Sequence, residues 1–365
     1  MNIEIPFFPL SKYHNDLEKD YVSSEIRKLF DKGSFILDDS VDLFESEFAN
    51  FVGSTFSVGV GNGFDALKLA IKLYDFPKNS EILVPTNTFI ATPLAVTDCG
   101  LNFIPVDVNY NTMNIDLDDL ESKITKNSVA MILVHLYGNP VNLDHAKEIA
   151  DKYNLKVIED CSQAHGSSFN GKKIGSSDNI CCFSLYPTKN LGAAGDAGII
   201  TTNSKEQYDK LRSLRNYGSS VKYHHELLGI NSRLDSIQAI YLNFKLKSLK
   251  KEIERKKVIA KKYYSKLDSE KFILPIIDPL NECSWHLFVI KSRLRDKLSE
   301  YLLEKGIQTM IHYPIPCHKQ LCYSKLNYQT LTVAEKLSRE ILSIPMNHYL
   351  MDDQIDYIIH NMNKF

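Results

Sequence analysis

Between residues 57 and 202 the chain alternates short runs of apolar, often β-branched residues with stretches of helical periodicity. The runs are Ser57–Val60, Glu81–Val84, Phe103–Val106, Ala130–Val134, Val157–Glu159, Ile180–Phe183 and Gly198–Thr201. Several are continuously apolar, as expected of strands covered on both faces. Between them lie helix patterns such as Asp65–Leu73 and Leu143–Tyr153, the second ending just before Asn154. This alternation predicts an α/β fold with a large, mostly parallel seven-stranded sheet sandwiched by helices. In such sheets ligands sit at the C-terminal ends of the strands.

From Ser232 to about Leu267 apolar and basic residues recur at helical spacing, which predicts one long helix or a broken pair leading out of the sheet region. The lysine-dense stretch Lys245–Lys262 is interrupted by Glu252 and Glu254 and reads as a solvated helix face, not a nucleic-acid contact. Beyond Leu274 a strand at Leu287–Ile290, a helix at Arg293–Lys305 and a closing helix at Asp353–Met362 predict a smaller α+β unit. The expected division is residues 1–240 for the large domain with its N-terminal segment, and 241–365 for the small domain with its linking helix.

The 365 residues suit two domains, and 44% hydrophobic content supplies a core for both. A net charge of −2 gives no global field that would recommend nucleic acid or an anionic membrane as partner. The N-terminus lacks a basic region followed by an apolar stretch, and no run approaches the length of a membrane span, so a cytoplasmic protein is expected. Seven cysteines, at 99, 161, 181, 182, 283, 317 and 322, show no zinc-ligand spacing; free thiols and no metal site are expected.

Three segments carry candidate chemistry. In Ile158-Glu159-Asp160-Cys161-Ser162-Gln163-Ala164-His165-Gly166 an apolar strand ends in a carboxylate. An ionised Asp160 there needs a positive partner to offset desolvation, and a pyridinium nitrogen would serve. An Asp that caps the next helix accounts for this segment equally well. The second segment, Phe183-Ser184-Leu185-Tyr186-Pro187-Thr188-Lys189-Asn190-Leu191-Gly192, sets Lys189 in a loop past a strand among small, hydroxylic or apolar neighbours. That setting suits an amine whose pKa falls on burial and which condenses with a carbonyl, rather than a surface lysine. The third, Val60-Gly61-Asn62-Gly63-Phe64-Asp65, runs from a strand through glycines into a helix start. It could hold a phosphate on exposed N–H groups, although a glycine turn capped by Asp65 looks the same.

Together the segments resemble the DegT/DnrJ/EryC1/StrS family of sugar aminotransferases, which have the aspartate aminotransferase-like fold (fold type I) of pyridoxal-phosphate enzymes. The resemblance runs from Phe7-Phe8-Pro9-Leu10 to Ser343-Ile344-Pro345. It is carried by Asn87-Thr88-Phe89-Ile90-Ala91-Thr92, His135-Leu136-Tyr137-Gly138, Glu159-Asp160 with Gln163-Ala164-His165-Gly166, Pro187-Thr188-Lys189-Asn190, Arg215-Asn216-Tyr217-Gly218, Asn231-Ser232-Arg233-Leu234-Asp235 and His312-Tyr313-Pro314-Ile315-Pro316. The resemblance implies pyridoxal 5'-phosphate as cofactor, with Lys189 forming the Schiff base and then shuttling the proton. It implies Asp160 on the pyridine nitrogen, Gln163 on the ring hydroxyl and Phe89 stacked on the ring. Gly63, Phe64 and Ser184 would hold the phosphate. Asn231 would reach the phosphate of the neighbouring subunit, making a homodimer with shared active sites.

Two departures from the family pattern stand out. Residue 64 is Phe where many members have Thr or Ser, leaving only its N–H for the phosphate. Ile36-Leu37-Asp38-Asp39 lacks the glycine that usually follows the leucine in a loop resembling the nucleotide-binding one. The sequence Tyr186-Pro187-Thr188-Lys189-Asn190-Leu191-Gly192 resembles the branch acting at a sugar's C3, with Tyr186, His312 and Tyr313 around the hexose. The expected substrates are therefore a dTDP-linked 3-keto-6-deoxyhexose and L-glutamate. Amination at C4 of a UDP- or dTDP-4-keto sugar is the alternative within enzymes, and an inactive or regulatory cofactor-binding homologue is the alternative outside them.

Overall fold

The computed structural model describes residues 4–15, 19–326 and 328–365. Seven strands form the central sheet: β1 (Phe56–Val60), β2 (Glu81–Pro85), β3 (Asn102–Val106), β4 (Ser128–Val134), β5 (Lys156–Asp160), β6 (Ile180–Ser184) and β7 (Gly198–Thr202). Their spatial order is β1-β7-β6-β5-β4-β2-β3. Strands β6, β5, β4, β2 and β3 pair in parallel, and β7 runs antiparallel to both β1 and β6. Each apolar run of the sequence is thus a strand of the α/β sheet, mostly parallel as expected.

Strand residues alternate between two buried faces, as a two-residue period requires. Val58, Ile82, Val84, Ile132, Ile158, Cys182 and Ile200 point into one core with the helices Gly63–Leu73 and Ala91–Asp98. On the opposite face Cys181, Phe183 and Ile199 meet Phe44, Phe48, Leu242 and Leu249, while Leu83, Met131 and Leu133 meet Ile149 and Ala150. Burial on both sides explains why these strands read as continuous apolar runs.

Helix Gly63–Leu73 begins at Asn62, whose side chain accepts from Asp65 N–H. Helix Leu143–Tyr153 begins at Asn142 and ends with Asn154 in the left-handed region at φ 53°. Asparagine tolerates that conformation, which satisfies the terminal carbonyls. The linking element is one continuous helix, Ser236–Lys266. Its earlier turns supply Leu242, Leu249 and Ile253 to the sheet core, and its later turns supply Ile259, Ala260 and Tyr263 to a second core. That second core includes the antiparallel pair β8 (Phe288–Lys291) and β9 (Ile341–Ile344) and the helices Arg295–Glu304 and Asp352–Lys364.

The lysine-rich face of the long helix differs from expectation. Lys245 and Lys256 are buried, so this surface is not wholly solvated. Helical periodicity alone sets no limit on how far later elements fold back over a face. Among the described residues no helix is long and apolar enough to cross a membrane. All seven cysteines are free, and five are buried.

Candidate active site

Side chains from the C-terminal edge of the sheet converge on one region, where strand order and parallel direction place them. Asp160 is the last residue of β5 and is buried. Its Oδ2 accepts from Thr92 Oγ1 at 2.9 Å and its Oδ1 from Ser162 N–H at 3.1 Å. Gln163 lies just beyond. Its Oε1 accepts from Tyr137 N–H at 2.6 Å, and its Nε2 donates to the Tyr313 phenol at 3.1 Å. One Nε2 hydrogen remains for another acceptor.

Lys189 sits half-buried in the loop from β6 to β7. Its N–H closes a turn onto Tyr186 O at 2.8 Å. Burial lowers its ammonium to about 8, with Asp160 pulling in the opposite direction. A lysine in this state is neutral in a substantial fraction near neutral to mildly alkaline pH, as a condensing amine requires. Three imidazoles, His165, His286 and His312, feel its charge. Burial, followed by Lys189, pushes His312 down to about 4 and His165 to about 3.

The loop from 312 to 318 covers this region from the C-terminal part of the chain. Tyr313 faces Phe89 with ring centroids 5.8 Å apart, and His312 Nδ1 lies 2.9 Å from Ser343 Oγ. The Tyr137 hydroxyl donates to the His312 carbonyl. His318 pins the other end of the loop: its N–H donates to Thr86 Oγ1 at 3.2 Å, and that hydroxyl lies 2.6 Å from Nδ1. The hydroxyl proton therefore goes to Nδ1, leaving the Nε2 proton for Glu335 at 3.1 Å. Phe89, 56% exposed, and Tyr186, 51% exposed, stand at the mouth.

Gly63 opens a helix at the end of β1. A Cβ there would meet Ser184 Cβ at 2.5 Å, and one on Gly198 would meet Asn62 O at 2.5 Å. Backbone thus approaches backbone with no room for side chains. Asn62 caps Asp65 N–H with its side chain and Ala66 N–H with its carbonyl, which leaves the Gly63 and Phe64 amides as the helix's open donors. With Ser184 beside them, these groups fit the phosphate of a pyridoxal cofactor, while Asp160 and Lys189 fit its ring nitrogen and its aldehyde. Asn231 is exposed and bridges by backbone to Asn216. Among the described residues no hydrogen bond joins it to Gly63, Phe64 or Ser184 of its own chain.

Two sequence features have structural roles instead. Arg215 is buried, donating to Gly59 O at 2.7 Å and to Glu45, whose Oε1 also accepts Gly59 N–H at 2.7 Å. Leu37 adopts φ 52° ahead of helix Asp39–Val52. His135, Glu159 and Cys161 offer atoms within 4.8 Å of one another, in a grouping of the kind that can hold a metal ion. His135 Nδ1 accepts Val141 N–H at 3.0 Å, so its Nε2 proton faces Glu159 at 2.9 Å. Ser177 and Asn179 also donate to Glu159. The hydrogen bonds account for this cluster as an internal polar tie.

Sequence reasoning assigned no role to Thr92, Tyr137, His318 or Asn190. Thr92, Tyr137 and Asn190 lie inside the quoted motifs, and their polar atoms were the available signal. His318 lies two residues past its motif.

A model of the DegT/DnrJ/EryC1/StrS aminotransferase family matches residues 17–363. A dTDP-3-amino-3,6-dideoxy-alpha-D-galactopyranose transaminase from Aneurinibacillus thermoaerophilus is 40% identical over 361 residues, covering 99% of each chain. The structure of S. venezuelae DesV in complex with a ketimine intermediate superposes with a TM-score of 0.96 at 36% identity, over 99% of this chain and 98% of that one. Bacillus subtilis NtdA, solved with bound cofactor PMP, gives a TM-score of 0.90 at 27% identity over 98% of this chain and 84% of that one. The fold is that of a pyridoxal-phosphate enzyme. The chain belongs to the DegT/DnrJ/EryC1/StrS aminotransferase family, and pyridoxal 5'-phosphate is its cofactor.

Proposed function

We propose that the chain moves the amino group of L-glutamate to C3 of a dTDP-linked 3-keto-6-deoxyhexose, as a cytoplasmic homodimer with shared active sites. The observation that carries this reading is Lys189, half-buried and lowered to about 8 by burial, in the loop past β6 and within the electrostatic reach of Asp160 on β5. The 3-amino sugar in the name of the relative with 40% identity supports C3 as the site of amination.

When bound, pyridoxal phosphate supplies an aldehyde that takes up the amine and a ring that stores the electron pair between two half-reactions. The protein's own groups do the rest. Lys189 in its neutral form takes the proton from the amine-bearing carbon of glutamate and returns one to the former carbonyl carbon of the sugar. Asp160, its oxygens held by Thr92 and Ser162, would keep the ring nitrogen protonated. Gln163 would give its spare N–H to the ring hydroxyl, and Phe89 would stack on the ring. The Gly63 and Phe64 amides and Ser184 would hold the phosphate, joined by Asn231 of the partner subunit. Tyr186, His312 and Tyr313 surround the hexose. With its imidazole down at about 4, His312 is neutral at pH 7 and recognises hydroxyls by hydrogen bonding, not by charge.

The test is the visible absorption of the purified, cofactor-loaded chain. Adding glutamate is expected to bleach the band, and adding a dTDP-3-keto-6-deoxyhexose is expected to restore it while releasing the 3-amino sugar. Recovery with a 4-keto sugar alone would move the reaction to C4. A chain whose band ignores every amino donor would be a binding protein and not a transaminase.

A further inference from the structure

Lys256 is 3% exposed, on the buried side of helix Ser236–Lys266. Its ammonium donates one hydrogen bond, to Asn190 Oδ1 at 2.8 Å, and among the described residues it forms no ion pair. Burial lowers it to about 8, opposed by Glu252 on its own helix and reinforced by Lys245. An interior ammonium with a single neutral partner is costly, and a methionine of similar length would be tolerated better. Stability therefore gives no reason for a lysine here.

What it touches is informative. Asn190 follows Lys189 directly and is buried. Both ends of its carboxamide are engaged: Oδ1 with Lys256, and Nδ2 with Ser284 O at 3.0 Å. Ser284 continues the line, its hydroxyl 2.9 Å from Ser167 Oγ, which donates to Gly138 O at 2.7 Å. Gly138 adjoins Tyr137, the residue that holds Gln163 and the 312 loop. The Asn190 side chain is thus the junction where the lysine loop, the long helix and the segment before β8 meet.

We propose that Lys256 is a positioning residue: by holding Asn190 it fixes the direction in which the adjacent Lys189 side chain leaves its loop. The cost of burying its charge is offset in function, not in stability. This rests on Lys189 being the reactive amine, as proposed above.

The experiment compares the parent with Lys256→Met, Asn190→Ala, the double variant and, as control, Lys189→Ala. Cofactor-free chains are mixed rapidly with pyridoxal phosphate, and the growth of the visible band is followed beside steady-state kinetics and thermal melting. Lys256→Met is expected to melt no lower than the parent, yet to form the band about tenfold more slowly and to lose kcat by a similar factor, since a small misplacement of a reacting group costs that much. KM for both substrates stays within about twofold, because substrate binding as such is untouched. Asn190→Ala, which also loses the bond to Ser284 O, is at least as slow, and the double variant is no slower than the slower single, because the Lys256–Asn190 contact can be lost only once. A parental rate of band formation in Lys256→Met, or losses that multiply in the double, would overturn the proposal. Parental turnover in Lys189→Ala would instead remove the assignment of the reactive amine.

Discussion

Thr92 donates a hydrogen bond to Asp160 across 2.9 Å, joining the helix that follows the Phe89 loop to the last residue of β5. The same short segment therefore carries Phe89, proposed to cover the cofactor ring, and the hydroxyl that orients the Asp160 carboxylate. With Ser162 N–H on the other oxygen, the Asp160 carboxylate has one orientation available to it.

Replacing Asp160 with Asn keeps an acceptor for Thr92 and removes the charge. We expect the fold to survive and kcat to fall by about 10²–10³-fold, the scale on which an aimed electrostatic group acts. Thr92→Val, which frees the carboxylate without neutralising it, should cost less, on the order of tenfold. Steady-state rates with melting curves check both. An Asp160→Asn chain at the parental rate would contradict the pairing with the ring nitrogen.

The His135–Glu159 pair predicts a pH dependence of stability. Burial pushes the Glu159 carboxyl up, but hydrogen bonds from His135, Ser177 and Asn179 outweigh it and hold the group below its ordinary value of 4.5. The unfolded chain then binds this proton more readily than the folded one. The contribution is fully present above pH 4.5 and is lost as pH falls through the folded value. Glu159→Gln sets an N–H against the His135 Nε2 proton and should cost about 3 kcal/mol or more at neutral pH. Its stability should also fall less steeply in acid. Denaturant unfolding between about pH 2.5 and 6.5, roughly two units either side of the ordinary value of 4.5, measures both effects; parallel curves for parent and variant would count against this account.

The shared-site dimer is tested by mixing two inactive chains. Lys189→Ala retains Asn231, and Asn231→Ala retains Lys189. Unfolded together and refolded, they should regain up to about a quarter of parental activity, since half of the dimers are mixed and each mixed dimer has one intact site. No recovery from chains that demonstrably mix would show that Asn231 serves its own subunit's site.

The strands were legible because apolar runs covered on both faces leave a local signature, and each of the seven runs is a strand of the sheet. Asp160 and Lys189 were legible because a carboxylate ending such a run and a lysine among small neighbours are locally odd. Thr92, His318 and Asn190 carry no such oddity. Each acquires its role from a partner at long range: Thr92 from Asp160, His318 from Thr86, and Asn190 from Lys256 and Ser284. Lys256 was hidden further, because in a run of lysines nothing local tells a solvated ammonium from a buried one.

The sequence by itself determined the periodicities, and with them the α/β sheet, the edge on which chemistry sits and the kinds of group available there. Only the tertiary structure decided which of those groups face one another. Apolar burial depends on residue type and period, which are local properties, whereas a hydrogen bond is directional and short-ranged. Its partners are chosen when distant elements dock, as when the helix carrying Lys256 closes over Asn190 and sets the neighbourhood of Lys189.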